Sequence, residues 1–110
     1  HGDADAARFR ATFRRRRDLV CGLLETIPGL QCPRPEGAFY AFPRFHAAMT
    51  SVEFSQALLR EAHVAVVPGI AFGPHGEHHF RLSYTAPEEV LREAVARIRD
   101  FLARPPTSSG

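Results

Sequence analysis

The 110-residue sequence contains no lysine: its fourteen basic residues are all arginine. Chemistry that needs a lysine amine as nucleophile or base is therefore outside the reach of these residues alone. Tryptophan is also missing, methionine occurs once, as Met49, and cysteine only twice. Cys21 and Cys32 have neither CxxC spacing nor further cysteines to join, which excludes a disulfide scaffold and a thiolate metal site. They read as reduced thiols serving as small buried hydrophobes, as expected of a cytoplasmic protein. No stretch approaches the roughly 18 consecutive apolar residues of a membrane helix, so a membrane is not an expected partner. A net charge of +2 is weak for a dedicated nucleic-acid binder, and no nucleic acid is expected either. The first residue is His1 rather than Met, as expected of a piece of a longer polypeptide or of a processed product.

The apolar content, 45%, suffices for one modest core. Residues 1–6 and 105–110 read as polar tails, the latter flexible, around a single domain over 7–104. From about Ala7 to Thr26 the apolar positions Phe9, Phe13, Val20, Leu23, Leu24 and Ile27 recur at helical period, and Pro28-Gly29 stops the helix. The run Ala38–Phe42 reads as a strand. Thr50 and Glu53 form a capping box ahead of a helix with a Phe54, Ala57, Leu58, Ala62 stripe. His63–Val67, rich in β-branched residues, predicts a second strand, ended by Pro68-Gly69. His79–Tyr84 alternates, with Phe80, Leu82 and Tyr84 on one face and Arg81 and Ser83 on the other. Thr85 and Glu88 suggest a second capping box, with Pro87 in the first turn of a last helix bearing Leu91, Ala94, Val95, Ile98, Phe101 and Leu102. This order predicts an α+β fold: a small, mostly antiparallel sheet with helices packed on one face and the other face uncovered.

Arg81 is the sharpest chemical signal. An arginine within an apolar strand is costly unless its donors are engaged, and its planar fork suits a carboxylate or phosphate. It could equally pair with an internal Asp or Glu, or face solvent from an edge strand. The loop Pro68–Gly76 could present amides to an anion, but it lacks a phosphate-loop pattern and reads more simply as a tight connection. His75, Glu77, His78 and His79 have poor ligand spacing, so no metal site is expected and a solvated loop is the plainer reading. His46 and His63 read as surface groups. Arg14–Arg17 fan out around a helix and cannot form one basic face, and Arg16 and Arg17 are expected to lay their stems along the apolar stripe. No catalytic triad is present, and none of the serines lies in a nucleophile turn.

Six stretches, Arg15–Asp18, Ile27–Gly29, Pro35–Tyr40, Val64–Gly69, Ala71–Gly73 and Phe80–Tyr84, occur in an order and at intervals that resemble the C-terminal small domain of fold-type I, pyridoxal-phosphate-dependent aminotransferases of class I/II, the aspartate aminotransferase-like group. The resemblance implies that Arg81 binds the substrate α-carboxylate and that Gly37 lies beside the substrate, where a larger side chain would intrude. It further implies pyridoxal 5'-phosphate as cofactor of a parent enzyme that moves an amino group between an amino acid and a 2-oxo acid. In that family a lysine of the large domain holds the cofactor and moves the proton. The expected partners are thus the amino-acid or 2-oxo-acid substrate, a large cofactor-binding domain and a second subunit of a homodimer. No catalytic and no cofactor-binding residue is expected within these 110 residues. Two other readings stay open: the effector-sensing, non-catalytic domain of a transcription regulator, and a free-standing interaction module.

Overall fold

The computed structural model describes residues 2–33 and 40–104. Three helices, α1 (Gly2–Glu25), α2 (Ser51–Ala57) and α3 (Glu88–Ala103), alternate with five short strands, β1 (Leu30–Gln31), β2 (Tyr40–Ala41), β3 (Arg44–Phe45), β4 (Val67–Pro68) and β5 (Phe80–Ser83). β2, β5 and β4 form an antiparallel sheet in that order, so β5 is central. β1 and β3 pair separately, and a bridge between Arg44 and His79 joins this small ladder to the start of β5. The result is the anticipated α+β arrangement.

The apolar stripes meet where their spacing predicts, except at Phe9, which lies on the α1 stripe but is 56% exposed. Val20 and Leu24 from α1, Phe54 and Leu58 around α2, Phe80 from β5 and Ile98 from α3 are all fully buried. At the centre, Phe54 stacks on Phe45 at 4.1 Å and on Phe80 at 5.2 Å, and meets Phe101 edge-on at 5.8 Å. Cys21 and Cys32 are both buried in this core. Burial also pushes the Tyr84 phenol above its ordinary value, an effect to which Cys21 adds and which Arg17 opposes. Among the described residues, no helix is long and apolar enough to cross a membrane.

Four local departures from the sequence pattern have physical causes. First, α1 begins at Gly2, so residues 2–6, expected as a polar tail, are helical. Ala4, Ala6 and Ala7 are strong helix formers, and Asp5 sits near the end where the helix dipole favours negative charge. Second, residues 63–66 do not form the predicted strand. The helix after α2 widens into a π turn over Leu58–Ala62, and His63 caps it in the left-handed conformation at φ 58°, so extended pairing starts only at Val67.

Third, the Thr85–Glu88 box does not form. Pro87 is itself the extended N-cap of α3, two residues past Thr85, whose hydroxyl instead meets that of Ser83 at 3.0 Å. A proline disfavours helical geometry in the residue before it, which delays the start of the helix. The Thr50–Glu53 box, by contrast, has both of its reciprocal hydrogen bonds, at 2.8 and 3.1 Å. Fourth, β1 and β3 were not expected, because two-residue strands carry no readable period. The expected stop after α1 is present: the helix ends at Glu25, and Gly29 turns the chain at φ 91°.

Because Phe54 touches three other rings at zero exposure, Phe54→Ala is expected to cost about 3–5 kcal/mol of unfolding free energy. Urea denaturation of the two proteins checks this.

Candidate functional site

The side-chain period of two in β5 decides the site. Phe80, Leu82 and Tyr84 are buried against the helices, which sends Arg81 and Ser83 to the opposite, open face of the sheet. Tyr40 lies opposite Ser83, and Val67 opposite Arg81, so these residues share that face. The Arg81 guanidinium carbon stands 5.0 Å from the Tyr40 ring centre and 5.0 Å from that of Phe72. Phe42 meets Phe72 edge-on at 5.7 Å and stacks on His79 at 4.8 Å with only 13° between planes. A half-buried guanidinium is thereby held between two aromatic faces, an arrangement worth about 0.5–2 kcal/mol per ring as burial increases.

The two plainer readings of Arg81 fail on this geometry. Its strand is central rather than at an edge. Among the described residues, the ion pairs are made by Arg15, Arg17, Arg60, Arg97, Arg99 and Arg104, and none reaches Arg81. Rings can satisfy the faces of a guanidinium but not its N–H edge, which remains available for a planar anion. Gly37 lies in the 34–39 segment, outside the described residues.

The loop from Gly69 to Gly76 consists of two short 3₁₀ turns, Gly69–Phe72 and Pro74–Gly76. Four of its amides are already committed. Gly69 donates to His79, Gly73 to Ile70 and Gly76 to Gly73, while the Ile70 N–H donates to the Ser51 hydroxyl at 3.2 Å. The loop is thus the tight connection expected and has little amide capacity left for a phosphate. Gly69 and Gly76 touch back to back: a Cβ on either would collide with the carbonyl oxygen of the other. That contact closes the loop and projects Phe72, 48% exposed, over Arg81.

Residues 75–79 take separate roles. The Glu77 carboxylate accepts the Ser51 N–H at 2.5 Å, His79 packs on Phe42, and His78 adopts a left-handed φ of 72°. Glu77 is therefore an anchor between loop and helix rather than part of a merely solvated loop. Among the described residues, no group of three His, Cys, Asp or Glu side chains could hold a metal. On α1 the arginines diverge as expected: Arg15 pairs with Glu88 at 3.4 Å, Arg16 donates to the Thr85 carbonyl at 2.9 Å, and Arg17 pairs with Asp18. Sequence reasoning missed Tyr40, Phe72 and Glu77 as parts of the site. No spacing in the sequence brings Tyr40 and Phe72, 41 and 9 residues before Arg81, against its strand.

Comparison with known proteins identifies the family of the chain. Residues 4–98 match the model of the family "Aminotransferase class I and II". The chain belongs to that family. It is 48% identical over 105 residues to the aspartate/prephenate aminotransferase of Cereibacter sphaeroides, covering 86% of this chain and 26% of that protein. It is 45% identical to aromatic-amino-acid aminotransferase 2 of Thermococcus litoralis, with 86% and 24% covered. The crystal structure of an aromatic aminotransferase from Pyrococcus horikoshii superimposes with a TM-score of 0.85 at 44% identity, covering 90% of this chain and 26% of that one. The chain thus spans about a quarter of the length of the aminotransferases it matches.

The Ser51 N–H, hydrogen-bonded to the Glu77 carboxylate, holds that carboxyl below the ordinary value of 4.5. A depressed folded-state value means that Glu77 contributes stability above the unfolded-state value and loses it as pH falls through the folded one. The stability gap between wild type and Glu77→Gln is expected to be largest above about pH 5 and to narrow on acidification. Urea midpoints measured between neutral and acid pH check the sign.

Proposed function

We propose that this chain is the small-domain part of a pyridoxal-phosphate-dependent aminotransferase and supplies the anchor for the substrate α-carboxylate. The observation that carries this reading is the Arg81 guanidinium, flanked by two rings and without a carboxylate partner among the described residues. The names of the relatives point the same way. They differ in the amino-acid side chain, aspartate in one and aromatic in another. Amino-acid substrates share an α-carboxylate, the group that a guanidinium fork can read regardless of side chain.

The chain's own contribution is binding and orientation. Arg81 would take the carboxylate in a bidentate grip and so fix which way the α-carbon faces. Gly37, beside the substrate by the same resemblance, would keep clear the space that the substrate enters. The pyridoxal phosphate of the parent enzyme would supply the electron sink. The residues present do not fit that cofactor by themselves: there is no lysine to hold it, and four of the loop amides that could have cradled its phosphate are already spent. Cofactor binding is assigned to a large domain of the same polypeptide, within a homodimeric assembly.

Two measurements test this reading. In the full-length enzyme, Arg81→Ala is expected to raise the KM of the amino donor by about 30- to 1000-fold, the equivalent of losing roughly 2–4 kcal/mol of charge-assisted pairing. An unchanged KM would remove Arg81 from the site. The 110-residue chain alone, treated with pyridoxal phosphate and then borohydride, is expected to gain no mass at any side chain, because it has no lysine. A stable adduct mapped by mass spectrometry to a side chain, rather than to the terminal α-amine, would contradict the assignment of the cofactor to another domain.

A further inference from the structure

Arg81 is held from two sides by different means. Tyr40 is fixed by the sheet itself, through its pairing with Ser83 on β5. Phe72 has no strand to fix it: it sits at the end of a 3₁₀ turn, and nothing in its own turn aims its ring at a guanidinium. What orients that turn lies elsewhere in the chain. The Ile70 N–H, two residues before Phe72, donates to the Ser51 hydroxyl at 3.2 Å. The Ser51 N–H in turn donates to the Glu77 carboxylate at 2.5 Å. Ser51 is fully buried. One residue at the start of α2 therefore grips the loop on both sides of its glycine neck, through Ile70 before Phe72 and through Glu77 after it.

We infer that Phe72 is a positioning residue for Arg81, and that Ser51 and Glu77 form the latch that keeps its ring against the guanidinium. The inference rests on the proposed carboxylate-binding role of Arg81 and adds to it how the fork is aimed. An arginine side chain has several rotatable bonds, and each immobilised rotamer-rich side chain costs on the order of 0.5–1.5 kcal/mol when it binds a ligand. Two rings 5.0 Å from its Cζ pay that ordering cost in advance. If the latch is released, the loop remains closed by its glycine neck and Phe72 keeps only its edge contact with Phe42, so its ring is held less firmly over Arg81.

The test uses the full-length enzyme. Phe72→Ala is expected to raise the KM of the amino donor about fivefold, as loss of one cation–π face allows, with kcat nearly unchanged. Glu77→Ala is expected to raise KM in the same direction in the presence of Phe72 but to add nothing in the Phe72→Ala background. Glu77→Gln, which keeps an acceptor oxygen for Ser51, restores most of the loss. A direct reading is the Arg81 side-chain N–H resonance in a ¹H–¹⁵N spectrum, assigned by its disappearance in Arg81→Lys. Lying between ring faces, it is expected upfield, and it moves downfield in Glu77→Ala. If Glu77→Ala raises KM equally in both backgrounds, or leaves the resonance in place, the latch is overturned. If the resonance moves as expected while Arg81→Ala leaves KM unchanged, the latch stands and the carboxylate role falls. Should Glu77→Ala fail to fold, Phe72→Leu, at an exposed position, gives the same resonance shift or overturns the positioning role.

Discussion

Strand geometry imposes the constraint on which the rest of the molecule depends. In β5 and the residue after it, Phe80, Leu82 and Tyr84 must face the helices to complete the core, and a side-chain period of two then leaves Arg81 no choice of face. Slipping the register by one residue would bury a guanidinium and expose three large apolar side chains, at a cost of several kcal/mol for the uncompensated charge alone. The core and the candidate site are thus two faces of one four-residue strand. The packing that stabilises the fold also sets the direction in which the cation is presented.

This division of labour explains the distribution of aromatic residues. One set, Phe45, Phe54, Phe80 and Phe101, fills the interior through ring-to-ring contacts. A second set, Tyr40, Phe42 and Phe72, lies on the open face, where its partners are a guanidinium and an imidazole. The second set cannot be explained by core formation. Half-exposed rings around a cation with an open N–H edge make sense as a binding surface, and membership of the aminotransferase family agrees with that reading.

Much of this was legible in the amino-acid sequence, and the remainder was hidden for identifiable reasons. The alternation in β5, the stripes of α2 and α3, the Thr50 capping box and the singular status of Arg81 all rest on local spacing, and local spacing survives folding. His63 misled because the valines at 64, 66 and 67 have strand propensity, whereas its own backbone was claimed by the end of a π turn. Thr85 misled because Pro87 took the capping position. Phe72 and Glu77 could not be read at all. Their importance depends on Arg81 and Ser51, which lie 9 and 26 residues away in the chain, and on a loop conformation that no periodicity encodes.

The back-to-back contact of Gly69 and Gly76 has a consequence for how this molecule can vary. Those two residues form a neck at which neither position tolerates a side chain, while the segment between them is tied to α2 through the Ile70 N–H and reaches Arg81 through Phe72. Pro74 and His75, both exposed, can be exchanged without disturbing the pairing of β4 with β5. The neck thus acts as a mechanical isolator, making the outer half of the loop an insertion point for tags or reporter groups beside the arginine while the sheet beneath keeps its register.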